Sequence, residues 1–116
     1  MGKVAHYQNL IKQHLIEWSE FMQSQPAPNE EIVLSLDSER HQYILLTDQW
    51  LKEGQGGRSR HITLHVAIKN GKIWVQEDWT EEGMVTFLLK QGVPNEDIVL
   101  GFQPPWLRQH TEFAEA

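Results

Sequence analysis

The stretch Asn70-Gly71-Lys72-Ile73-Trp74-Val75-Gln76-Glu77-Asp78-Trp79-Thr80-Glu81-Glu82-Gly83 contains a hairpin turn, a strand and the start of a helix. Asn-Gly between the alternating runs 61–69 and 72–78 signals a type I′ turn, since both central residues of that turn need positive φ. A two-residue loop sets the register: Lys69 opposite Lys72, Ile68 opposite Ile73, Ala67 opposite Trp74, Val66 opposite Val75, His65 opposite Gln76 and Thr63 opposite Asp78. One face of the hairpin is then apolar, with Ile62, Leu64, Val66, Ile68, Ile73 and Val75. The other carries His61, Thr63, His65, Trp74, Gln76 and Asp78, because successive side chains alternate.

Beyond this strand, Thr80 reads as an N-cap, Glu81 and Glu82 suit the positive end of a helix dipole, and Gly92 is a natural C-cap. A helix is predicted over about 81–91. Val93-Pro94-Asn95-Glu96-Asp97 turns the chain into the short apolar strand Ile98-Val99-Leu100. Residues 102–116 form a C-terminal arm stiffened by Pro104-Pro105. Towards the N-terminus, Val4, Tyr7, Ile11, Leu15, Trp18 and Met22 recur at steps of three and four, one stripe of an amphipathic helix over 3–24 that Pro26 and Pro28 end. Residues 31–37 alternate as a strand, Asp37-Ser38-Glu39-Arg40 is a turn, and 41–51 is a second strand rich in β-formers. The predicted class is α+β: an N-terminal amphipathic helix, a four-stranded antiparallel meander, a second helix, a short C-terminal strand and the arm, in one domain over 1–116. The helices cover the apolar face, and function is expected on the polar one, left to water, the arm or another molecule.

At 116 residues and 40% hydrophobic, the chain is large enough for one core without metals or disulfides. It has no cysteine, which excludes disulfides, thiol nucleophiles and thiolate zinc sites and suits a reducing cytosol. No apolar run is long enough for a signal peptide or a membrane span, so a cytoplasmic protein without membrane association is predicted. Ten basic residues against sixteen acidic ones leave a formal charge of −6. That balance disfavours autonomous DNA binding, whose non-specific affinity comes from basic groups displacing counterions. Arg58 and Arg60 beside the glycine loop are the local exception.

The candidate chemical constellations each have a plainer reading. His61 and His65 share a strand face, but roughly 13 Å separates residues four apart on a strand, too far for one metal ion. His65 diagonal to Asp78 has the form of a carboxylate-oriented imidazole, without a nucleophile near it; a cross-strand hydrogen bond is the simpler role. Asp37 and Glu39 are spaced for acid–base work or for a hard cation, yet Arg40 beside them makes a salt-bridged turn. Gly54, Gly56 and Gly57 lie between two strands rather than a strand and a helix, which makes a hairpin loop and not a phosphate cradle. No complete catalytic constellation emerges, and no metal or cofactor is predicted. The alternative is a small metal-dependent hydrolase or nuclease using Asp37, Glu39 and Asp78.

Five tryptophans are a high count for this length. Trp18 falls on the helix stripe, where core packing explains it. Trp74, Trp79 and Trp106 are less easily buried, and aromatic residues are enriched at interfaces. Trp74, Trp106, Arg108 and Phe113 are the partner-binding candidates, the other reading being that the arm folds back and Trp106 covers Trp74 within one chain. The same exposed face and arm make a homodimer plausible.

In their order, several motifs resemble one family. They are Asp37-x-Glu39-Arg40 followed by Tyr43; Asn70-Gly71-Lys72-Ile73-Trp74-x-Gln76-x-Asp78-x-Thr80-Glu81-x-Gly83; Gly92-Val93-Pro94-x-Glu96-Asp97-Ile98-Val99-Leu100-Gly101-Phe102; and Pro105-x-x-Arg108-x-x-Thr111-Glu112-Phe113-Ala114. With these marks the chain resembles, over nearly its whole length, the XisI-like proteins of cyanobacteria and related bacteria, described as fdxN element excision controlling factors. Departures fall mainly in the arm, at Gln103, His110 and Glu115. The resemblance implies a non-enzymatic accessory role in excising a DNA element, alongside a site-specific recombinase and a nuclease-related XisH-like protein encoded nearby. It brings no established catalytic residues with it. Joined to the acidic charge, it predicts that the acidic surface and aromatic arm engage a basic, DNA-handling partner.

Overall fold

The computed structural model describes residues 2–25, 27 and 29–116. Among them the chain forms helix α1, Lys3–Gln23, then strands β1, Glu30–Asp37, β2, Gln42–Trp50, β3, Arg58–Lys69, and β4, Lys72–Asp78. Helix α2, Met84–Lys90, a 3-10 turn at Asn95–Asp97, strand β5, Ile98–Leu100, and the short helix α3, Pro105–Arg108, complete it. Pro26 and Pro28, assigned above to the end of α1, lie outside the described residues.

The class is α+β, with one five-stranded sheet in the order β1-β2-β3-β4-β5. The first four strands form the antiparallel meander, while β5 runs parallel to β4, so the sheet is mixed. A parallel neighbour needs a crossover connection, and α2 with the 3-10 turn supplies it. The Asn70-Gly71 turn has φ of 54° and 74°, the positive pair a type I′ turn requires.

One face of the sheet is covered by the two longer helices. Tyr7, Ile11 and Leu15 of α1 and Met84 and Leu88 of α2 pack on Tyr43, Leu45, Leu64, Val66, Ile73 and Val75. The stripe read from the sequence is the buried side of α1, with Val4, Trp18 and Met22 partly buried at its ends. Truncating a fully buried leucine or isoleucine here to alanine costs about 2–5 kcal/mol. At the start of α1, Asp97 accepts hydrogen bonds from the Tyr7 hydroxyl and from Lys3 Nζ at 3.3 Å, fastening the helix to the 3-10 turn before β5.

Two β-bulges change the predicted faces. The β3–β4 pairs hold as read from Lys69↔Lys72 to Val66↔Val75, then shift, so that His65 faces Glu77 and Leu64 faces Asp78. Gln76 is the extra residue, and everything after it changes side. Asp78 therefore shares the helix-covered face with Leu64 and leaves the predicted polar face. A second shift between Leu45 and Leu46 makes Thr63 the extra residue of β3. Its hydroxyl meets that of Thr47 at 2.7 Å, and both threonines are buried. His61 pairs with Thr47, and Ile62 moves to the outer face opposite Leu46.

The second helix starts at Met84 rather than residue 81, and Thr80 does not cap it. Asp78 does this from the strand end: Oδ1 accepts from the Thr80 N–H and hydroxyl, and Oδ2 accepts from the Met84 N–H at 2.5 Å. Glu81 and Glu82 thus precede the helix, and Glu82 pairs with Lys90 at 2.5 Å. At the other end Gly92 adopts φ 87°, and Val93 N–H returns to the Leu88 carbonyl at 3.0 Å, closing the helix as predicted.

Candidate partner-binding surface

At the β5 end of the sheet the chain's own arm runs beside the edge strand and covers Trp74 on the outer face. Trp74 pairs across with Ala67 and Val99, and the arm lays Ala114 beside Val99, with the Ala114 N–H on the Ile98 carbonyl at 2.9 Å. Trp74 is 9% exposed, and it does not offer a free surface to a partner. Lys69 Nζ lies 4.4 Å and the Arg108 guanidinium 5.1 Å from its ring centre, within the range of a cation–π contact.

Arg108 is held there by the arm itself, with Nε donating to the Gln103 carbonyl at 2.9 Å. Phe113 packs against the main core. Of the four predicted partner-binding residues, three are therefore engaged within the chain, and Trp106 alone projects, at 67% exposure. The arm does fold back, but Arg108 rather than Trp106 covers Trp74.

The five predicted polar-face residues are dispersed. His65 stays on the outer face, its Nε2 2.8 Å from Gln42 Oε1. Burial lowers its pKa, with Glu77 opposing. Its neighbour across the strands is Glu77, and Asp78 points to the opposite face. Gln76 fills the bulge against Gly101, where an added Cβ would collide with its side-chain oxygen and stand 3.2 Å from the Val75 carbonyl. Thr63 and Asp78 have turned to the helix side, and His61 is exposed beside Thr47.

Asp37 Oδ1 accepts the backbone N–H groups of Glu39 and Arg40, each at 3.0 Å, and its Oδ2 pairs with Arg40 at 3.3 Å. The backbone hydrogen bond from Arg40 leads the causes that lower the Asp37 pKa. Asp37 falls in the cross-strand row of Gln42, Ala67 and Trp74 on the outer face, so the sheet separates it from Asp78. Arg58 is committed as well, donating from Nε to Asp48 at 2.7 Å and stacking 5.4 Å from the Trp50 ring centre.

The largest uncovered aromatic surface lies where β4 leads into α2. Trp79 is 73% exposed, its indole N–H donating to Glu77 at 3.2 Å. On one side of it a cleft of about 520 Å³ is lined by Gln76, Glu77, Asp78 and Phe102. On the other, a cleft of about 300 Å³ reaches Trp18, Phe21, Met22 and Glu81. Phe21 and Phe102 are exposed too. The outcome is an aromatic ridge framed by Glu77 and Glu81, suited to a partner that is apolar at its centre and basic at its rim. Trp79 stood out in the sequence as hard to bury. Phe21 and Phe102 gave no such signal, because one adjoins a helix stripe and the other lies in an aperiodic arm.

A family model described as XisI protein matches residues 1–115. The chain belongs to the XisI family. Two crystal structures from Anabaena variabilis ATCC 29413 share its fold. One XisI-like protein is 34% identical, with a TM-score of 0.87 over 97% of this chain and 99% of its own. The other, described as fdxN element excision controlling factor XisI, is 37% identical, with a TM-score of 0.82 over 99% of this chain and all of its own. None of the curated proteins matches. Among the described residues no helix is long and apolar enough to cross a membrane.

Proposed function

We propose that this XisI-family protein is a non-enzymatic accessory factor in the controlled excision of a DNA element, and that it acts by binding a nuclease-related, XisH-like protein. The observation that carries the reading is Trp79, a large aromatic side chain left 73% exposed between two clefts with carboxylates around it. Aromatic residues in such settings supply much of the affinity of protein interfaces, and complementary charge supplies rate and orientation. The name of its Anabaena relative supports the excision-control part of the proposal.

The arm has a supporting role in this account. Its packing beside Val99 helps to bury Ala67 and Trp74, and it leaves Trp106 as a second projecting aromatic group. Co-expression with the neighbouring XisH-like protein, followed by size-exclusion chromatography with light scattering, tests the proposal. A stable mixed complex supports it; two independent peaks at micromolar concentration oppose it.

The alternative of a metal-dependent enzyme needs Asp37, Glu39 and Asp78 together. The register puts Asp37 and Asp78 on opposite faces of the sheet, and each already holds backbone N–H groups. Titration with magnesium or manganese in a calorimeter separates the readings, because millimolar binding heat would revive the enzyme.

A further inference from the structure

A cavity of about 350 Å³ opens between α1 and α2, beside the Trp79 ridge and sharing Trp18 and Phe21 with it. Its walls are His14, Trp18, Phe21 and Phe87, and its rim carries Glu17 and Glu82. Trp18 and Phe21 meet edge to face at 5.4 Å between ring centres, and His14 stacks on Phe87 at 4.2 Å. These rings and the two carboxylates line one open cleft.

We infer that this cavity receives an arginine side chain presented by a basic partner protein, its guanidinium lying against the aromatic walls with Glu17 at the rim. The chemistry matches on three counts. A guanidinium is planar, weakly hydrated and stacks on aromatic faces, whereas an ammonium is a strongly hydrated point charge. Among the described residues Glu17 has no cationic partner, its side chain accepting from Gln13 Nε2 at 3.1 Å. Glu82 is already paired with Lys90, which leaves Glu17 as the anion available to an incoming charge. Last, His14 lines the cavity at 5% exposure, and among the described residues its buried Nε2 has no hydrogen-bond partner.

The field at that wall is negative. Burial lowers the His14 pKa, and Asp78, Glu17 and Glu82 act in the opposite sense, each favouring a positive charge there. With Glu17 and Glu82 lining it, the cleft favours a cation, and a partner's arginine would complete it. The source of that arginine rests on the partner-binding reading above; the chemistry of the cavity does not.

The test uses the isotopically labelled full chain, followed by NMR during titration with a capped Gly-Arg-Gly peptide and with its citrulline counterpart, which keeps the shape and loses the charge. The arginine peptide is expected to shift the Trp18 indole N–H and the amides around His14 and Phe87, and the citrulline peptide to leave them in place. The variant Glu17→Gln, a change at an exposed position, should weaken the arginine response about threefold, the scale of one exposed ion pair. Equal shifts from citrulline, a response confined to other residues, or no response to either peptide overturns the inference. The mixed complex is read separately. If it forms with undiminished affinity in Glu17→Gln and Phe87→Leu, the cavity inference fails and the partner proposal survives. If no complex forms while the peptide titrates, the cavity stands and the XisH-like protein is overturned as the source.

Discussion

Asp78 stands opposite Leu64 at the end of β4, and its Oδ2 accepts the backbone N–H of Met84, six residues on, at 2.5 Å. A single side chain therefore joins the last strand of the meander to the first turn of α2. It also fixes the loop carrying Trp79, since the same carboxylate holds the N–H and hydroxyl of Thr80. Helix α2 has no side-chain cap of its own, its N-cap position being Gly83. Asp78→Ala should cost about 1–2 kcal/mol, the usual value of a lost cap. Urea denaturation measures it, and an unchanged midpoint would mean that α2 starts without this carboxylate.

The arm divides into a packed part and a projecting part. Phe113 contributes to the core, so Phe113→Ala should destabilise the fold by about 1–3 kcal/mol, less than a fully buried aromatic residue. Trp106→Ala should change stability by no more than about 0.5 kcal/mol, as surface substitutions do. Equal effects of the two, measured by thermal unfolding, would contradict the arm's placement.

The carboxylate of Asp97 is nearly buried and relies on Tyr7 and Lys3. Burial, followed by the hydrogen bond to Asp97, pushes the Tyr7 pKa up to about 12. A group raised in the folded state stabilises fully below its unfolded value near 10, and that contribution fades as pH climbs through the folded value. Tyr7→Phe should cost about 1–3 kcal/mol at neutral pH, because it leaves Asp97 one donor short. It should also flatten the alkaline limb of the stability profile.

His14 behaves in the opposite sense. Burial lowers its pKa below 6.5 in the folded protein, so its contribution is complete above that value and is lost as pH falls through the folded-state one. His65 follows the same direction. The wild-type chain should therefore lose stability on mild acidification, and His14→Leu should lose less of it. Denaturation midpoints at pH values on either side of about 6.5 decide this; parallel profiles would remove His14 as a source.

Much of the fold was legible because local signals agreed with tertiary packing. The stripe on α1, the Asn70-Gly71 turn and the glycine ending α2 are each set by a few adjacent residues. The register beyond Val66 and Val75 was not legible, because neither Thr63 nor Gln76 is a glycine and neither marks a bulge by its chemistry. Their positions depend on distant partners: Thr63 on the Thr47 hydroxyl, Gln76 on the space beside Gly101. That one slip moved Asp78 to the other face and hid its role at α2. The candidate surface was missed for a related reason. Alternation placed interest on Trp74, and only the chain's return past β5, with Arg108 over the ring, shows that this residue is covered.

The central claim is that Trp79 anchors a protein partner. The affinity of the XisH-like protein for wild-type chain, Trp79→Ala and Trp106→Ala, measured by titration calorimetry on folded samples, tests it most directly. The account predicts a loss of about 2 kcal/mol, roughly 30-fold, for Trp79→Ala, as for an interface hot spot, and a smaller loss for Trp106→Ala. Wild-type affinity in the Trp79 variant would contradict it.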